Sequence, residues 1–284
     1  MKLKSIVLVA LIVFFGFSKA NAQINFGEKA MGALQKGVTG FMFSDADAAA
    51  LSKAAVDKMD LEHTIATPTD SYAIRLNKIF EKHKNENGLV LNYKVYKISE
   101  VNAFATADGS VRVFSGLMDI MDDYELLAVI GHEIGHVANS DSRDAIKAAY
   151  KKEALIDAIS SQSDKLAAIT DGQLAKLGSA MIDSKHSRKQ ESEADTYSYD
   201  FMKRNNYNVN AVESAFTILA KRSQGTDASF FDRMMSSHPD SQERADNARK
   251  RAEEDGLYKV YVKQVPKPVK KVVVKKAVVK KKKK

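Results

Sequence analysis

Cysteine is absent from all 284 residues. That excludes disulfide bridges, thiolate metal sites and thiol nucleophiles, so any metal must be held by nitrogen and oxygen. A donor set of that kind points to a catalytic rather than a structural metal site. Long apolar runs are almost absent as well. The one run, Ile6 to Phe17, is shorter than the ~20 residues a membrane span needs. Lys2 and Lys4 precede it and Ala20-Asn21-Ala22 follows, the pattern of a signal peptide over residues 1–22 cleaved after Ala22. The chain is therefore expected to be exported, periplasmic or secreted, and without a cysteine it is not expected to be lipid-anchored. Acidic residues are missing from Gly256 to Lys284, which holds twelve lysines. The net charge of +8 thus leaves 32 basic against 36 acidic residues in the remainder, a charge of −4. The basic balance belongs to a lysine-rich, disordered tail over 256–284, marked off by Pro266 and Pro268, and not to the domain over 23–255. Such a tail suits an anionic lipid or envelope surface. Nucleic acid is not an expected partner of an exported protein.

Against these absences stands one dense stretch, Asp122 to Ala138. Asp122 or Asp123 can cap a helix, and Glu125, three residues after Asp122, completes a capping box. Leu126, Leu127, Val129, Ile130, Ile134 and Val137 make that helix apolar on nearly every side, so it is expected to be buried. His132 and His136 are one turn apart and project from one face, while Glu133 lies one position round the helix. This is the His-Glu-x-x-His spacing of zinc proteases, in which the histidines grip the metal and the glutamate reaches its water. Three fixed residues also match by chance. However, two histidines and a carboxylate in an apolar helix are costly unless something binds them. Gly131 and Gly135 each cost up to about 1 kcal/mol of helix propensity, which implies a close neighbour on that face.

The chain before this helix reads as two helices and a small sheet. Ser44 or Asp45 caps a first helix bearing Leu51, Ala55 and Met59, and Asp70 caps a second bearing Leu76, Ile79 and Phe80. His63 and His83 fall near the ends of these helices and read as surface or end-capping residues. Leu89 to Ile98 alternates in part and is rich in β-formers. Asn102 to Thr106 and Val111 to Phe114 form a hairpin around Asp108-Gly109. One of these strands either offers an edge to a peptide substrate or merely supports the helix. Residues 141–182 read as a helical hairpin broken near Ser160-Ser161 and Thr170-Gly172.

A third ligand must come from farther on. In Ser187 to Asp200, Glu191 and Asp195 lie four apart on one helical face. One carboxylate can complete a metal site and the other can hydrogen-bond a ligand histidine, or both can belong to a charged, solvated face. Four motifs in order, Asn102-Ala103-Phe104-Ala105, the His132 to Val137 run, Arg188 to Asp200, and Ser237-His238-Pro239 with Arg244, resemble the HtpX-type gluzincin metalloproteases, especially their exported periplasmic members. They cover roughly residues 70–250.

The resemblance implies an α+β, mainly helical zincin-like domain with a small antiparallel sheet beside the His-Glu-x-x-His helix. It implies one Zn2+ per chain, a zinc endopeptidase activity on polypeptides, misfolded or envelope proteins included, and a role in protein quality control. Glu191 maps to the third ligand and Asp195 to the residue behind a ligand histidine, with Glu133 as general base. His238 maps to a histidine that reaches the metal and gates activity in some members; Arg244 joins it as a candidate for oxyanion stabilisation or gating. Asn102, Ala103 and Phe104 map to substrate binding. An envelope chaperone or assembly factor with its metal site usually shut is the alternative. His186 has no match and reads as incidental.

Overall fold

The computed structural model describes residues 44–86, 88–160, 170–224 and 228–264. The expected signal peptide and residues 265–284 lie outside them. Local chemistry sets most element starts. Ser44 caps α1 (Asp45–Glu62) with a capping box to Asp47. The Asp70 carboxylate accepts the Tyr72 N–H at the start of α2 (Ser71–Phe80).

A two-residue ribbon, β1 (Asn85–Glu86) with β2 (Leu89–Val90), precedes a three-stranded sheet of β3 (Asn92–Tyr96), β4 (Ala103–Ala105) and β5 (Ser110–Phe114). The β4–β5 hairpin is antiparallel, with Phe104 opposite Arg112. Its turn needs Gly109 at φ +84°, where a Cβ would also strike the Val90 carbonyl at 2.1 Å. The sheet itself is mixed rather than antiparallel throughout, because β3 pairs parallel to β5. The chain passes from β3 to the far side of β5 before reversing, so β5 becomes the centre and β4 an edge.

After the short α3 (Ser115–Ile120) comes α4 (Asp123–Ala138), the helix bearing the two histidines. Asp122 accepts the Tyr124 and Glu125 N–H groups, and Glu125 accepts the Asp122 N–H in return. Every residue from Glu125 to Val137 is buried, as the all-round apolar pattern implied. Edge strand β4 covers one side of α4, while α7 (Arg188–Arg204) and α8 (Asn210–Arg222) cover the other. The glycines permit the closest of these contacts. At Gly135 an added Cβ would meet the Ala194 backbone at 3.0 Å, and at Gly131 the Phe201 ring at 3.1 Å.

Helices α5 (Asp141–Ser160) and α6 (Asp171–Ile182) pack on each other and on α1, the expected hairpin. The short α9 (Asp232–Ser237) leads to α10 (Ser241–Glu254), which lies across α7 and α8. Two further expectations fail. His83 is not a surface residue: it is 3 % exposed, bonded to the Tyr207 hydroxyl and packed edge-on against Phe201. The reason is tertiary, since the α7 and post-α7 aromatics close over it. Residues 256–264, read as the start of the free tail, instead follow the body of the fold. Asn210 holds Leu257 and Lys259, and the Asp122 carboxylate accepts the Tyr261 hydroxyl and the Gln264 N–H. Asp122 thus caps α4 with one oxygen and ties down this segment with the other.

Candidate metal centre

One turn of α4 brings the His132 and His136 Nε2 atoms to 3.0 Å of each other. Helix α7 delivers Glu191 between them, its oxygens 3.5 Å from His132 Nε2 and 3.4 Å from His136 Nε2. Two ligands about 2.1 Å from one tetrahedral ion lie about 3.4 Å apart, so these three side chains have the spacing of a shared ion. His238, at the end of α9, places Nδ1 3.0 Å from Glu191 and 3.2 Å from His132. It belongs with the other three to a group able to hold one ion.

The outer nitrogens of both imidazoles are fixed. His132 Nδ1 lies 2.8 Å from Asp195, and His136 Nδ1 lies 2.8 Å from Asp141. A carboxylate on Nδ1 turns the Nε2 lone pair toward the centre, as ligand histidines require. Gln190 in turn donates to Asp141.

Asp141 is not singled out by any sequence pattern, and His186 looks incidental in the sequence. Asp141 opens the next helix, but Ser140, at φ +71°, turns the chain so that its carboxylate meets His136. A carboxylate five residues past the second histidine was the available signal. His186 is not incidental: its ring stacks on His136 with centroids 3.8 Å apart and lies 5.2 Å from His238. It joins the cluster because its N–H is tied to the Ser237 carbonyl, 3.3 Å away, a contact no local pattern announces.

Burial dominates the electrostatics. It raises Glu133 above the usual carboxylate range. It also lowers His132, with help from Arg244 and His136, to about 3. For His136 burial is outweighed by the Asp141 and Glu191 carboxylates, which lift it to about 9. Glu191 is likewise pushed up by burial but held far below its ordinary value by the His136 and His238 hydrogen bonds. Four carboxylates, Glu133, Asp141, Glu191 and Asp195, therefore surround the histidines with one guanidinium, Arg244, among them. Glu133 Oε1 and Glu191 Oε2 are buried without a hydrogen-bond partner; the 2.8 Å Arg244 Nη1–Glu191 Oε2 ion pair lacks hydrogen-bond alignment. Orphaned carboxylate oxygens in a cluster short of positive charge fit a divalent cation.

The cleft beside Glu133 and His136 runs between β4 (Ala103, Phe104, Ala105) and the segment of His186 and His238, and it leaves only about 20 Å³. Ala103 and Phe104 thus line it, and Asn102 lies at the head of β4 with its side-chain oxygen on the Ala103 N–H.

The model of peptidase family M48 matches residues 75–252. This chain belongs to that family. Among similar proteins, the metalloprotease LoiP of Escherichia coli strain K12 is 40 % identical over 230 residues, 80 % of this chain and 90 % of LoiP. The metalloprotease YcaL of the same organism is 42 % identical over 209 residues, 73 % of this chain and 81 % of YcaL. The protease HtpX of Xanthomonas euvesicatoria is 40 % identical over 80 residues, 26 % of each chain. The M48 match spans all four motifs, and the chain is a metalloprotease in which His132, His136, Glu191 and His238 form a cluster able to hold one metal ion.

Proposed function

We propose that the protein is an exported zinc endopeptidase that hydrolyses polypeptides, misfolded or envelope proteins among them. The observation that carries this is the mutual spacing of His132, His136 and Glu191 around one point, with the orphaned Glu133 Oε1 beside them. These three residues hold one Zn2+, and Asp195 and Asp141 orient the two histidines. When bound, zinc lowers the pKa of a coordinated water to about 7 and polarises the scissile carbonyl. Glu133, whose burial raises its proton affinity, takes the proton from the attacking water and passes it to the leaving amine. Edge strand β4 and Asn102 align the substrate main chain as an added strand. His238, whose Nε2 lies 3.6 Å from Glu133, faces the same space and serves as a fourth ligand or a donor to the developing oxyanion.

Export follows from the signal-like residues 1–22. The lysines of the tail supply affinity for an anionic envelope surface, each contributing on the order of 1 kcal/mol close to it. Among the described residues, no helix is long and apolar enough to cross a membrane.

A second reading has one observation in its favour. With His238 Nδ1 at 3.0 Å from Glu191 and about 20 Å³ left in the cleft, the site is shut, which suits an envelope chaperone or assembly factor. Zinc stoichiometry with casein cleavage separates the two, measured on the mature protein, Glu133→Gln and His238→Ala. The protease reading expects one zinc per chain throughout, no cleavage by Glu133→Gln, and cleavage that rises in His238→Ala if that residue gates. Zinc without cleavage in both wild type and His238→Ala favours the chaperone, and absence of zinc sinks both.

A further inference from the structure

Arg244 was expected to stabilise an oxyanion or gate the site, and its surroundings speak against both. It does not line the cleft that holds Glu133, His136 and His238. It sits behind the ligands, on the side where α10 crosses α7, with its guanidinium 4.0 Å from the Phe216 ring centroid. Nε donates to Asp195 Oδ2 at 2.9 Å and Nη2 to Asp195 Oδ1 at 2.7 Å, a two-pronged pair. Nη1 lies 2.8 Å from Glu191 Oε2, and Nη2 rests against the His132 ring at 3.0 Å. The side chain is therefore spent on the carboxylate that orients one histidine and on the carboxylate between the two.

Resting on the zinc reading above, we propose that Arg244 is a positioning residue that holds Glu191 and Asp195 in register with the histidine pair. The physical need is plain. Glu191 and Asp195 are four residues apart on one face of α7, and like charges at that spacing repel. Glu191 is buried and Asp195 half-buried, so the repulsion is poorly screened. A planar fork stacked on an aromatic ring bridges the two carboxylates and fixes their angle; an ammonium on a flexible stem is a point charge and cannot do so. The same residue anchors the start of α10, six residues after His238, so the orientation of the ligands and the placement of that histidine share one fastening.

The structure also offers a way to test this directly. A groove of about 330 Å³ between α7 and α10 opens onto Arg244 from outside, with Glu191 and Asp195 on its floor and Arg188, Glu243 and Arg251 toward its rim. If Arg244 is cut back to alanine, a small guanidinium added to solution can enter by this route and take up its place.

The experiment uses the full chain loaded with Co2+ in place of zinc, comparing wild type, Arg244→Ala and Arg244→Lys. Metal affinity is read by chelator competition and ligand geometry by the visible Co2+ spectrum. Both variants are expected to bind metal about 10–100-fold more weakly, the loss typical of outer partners of metal ligands. The Co2+ spectrum should change, and millimolar methylguanidinium should restore affinity and spectrum in Arg244→Ala but not in Arg244→Lys. A folded Arg244→Ala with wild-type affinity and spectrum overturns the proposal. If that variant does not fold, Arg244→Lys decides: wild-type affinity there overturns it equally. A wild-type chain that takes up no metal overturns this inference together with the zinc reading.

Discussion

Gly135→Ala sets helix propensity against packing. The substitution adds one methyl to the last turn of α4, where alanine is favoured over glycine by up to about 1 kcal/mol. The added carbon would lie 3.0 Å from Ala194 Cα, 3.0 Å from the Ala194 carbonyl oxygen and 3.0 Å from Tyr197 Cβ. Two of those atoms are backbone, so relief requires α7 to move by a few tenths of an ångström, and overpacking of this kind costs about 1–3 kcal/mol. The two together leave a net loss of up to about 2 kcal/mol, at about 2–4 °C per kcal/mol for a domain of this size. The displacement falls next to Asp195 and one turn from Glu191, so metal affinity should fall about tenfold as well. Gly131→Ala is the control, because its nearest neighbour at 3.1 Å is the Phe201 ring, a side chain that can shift. Urea melts and chelator competition on the three proteins measure both quantities. A Gly135→Ala protein at least as stable as wild type, with unchanged metal affinity, would refute the claim that this glycine sets the helix separation.

Other expectations follow from single contacts. Asp141→Asn keeps a hydrogen-bonding group beside His136 Nδ1 but removes its charge, and should weaken metal binding by about 10–100-fold in the same competition assay. Acid stability should carry a signature of Asp60. Burial pushes this carboxyl up, but hydrogen bonds from Arg112, Lys94 and Tyr96 outweigh it and hold it at about 2, below the 3.8 of a free aspartate. A depressed pKa stabilises above the unfolded value and is lost as pH falls through the folded one. About 2 kcal/mol should therefore disappear between pH 4 and 2. Asp60→Asn, which strands the buried Arg112, should be the less stable protein at pH 6, with the gap narrowing across that window in urea titrations; a constant gap would contradict the assignment.

Features encoded within a few residues are legible in the sequence. Ser44, Asp70 and Asp122 cap their helices because a cap is a bond between near neighbours. The all-round burial of α4 follows from its unbroken apolar pattern, and the shared face of His132 and His136 follows from helical geometry. The glycines at 131 and 135 announced a close neighbour without naming it. Long-range placement was not legible. Nothing near His83 says that Phe201 and Tyr207 cover it, and nothing near Arg244 says which side of the histidine pair it occupies. The pairing of β3 with β5 depends on where β4 falls, not on the residues of β3. Asp141 reaches His136 through one left-handed residue, and His186 arrives on a loop tied to Ser237. Periodicity and capping are local, so the helix, its two histidines and the neighbouring glutamate are written into one short stretch. What stands behind and above them is chosen by packing between segments distant in the chain, and so emerges only with the fold.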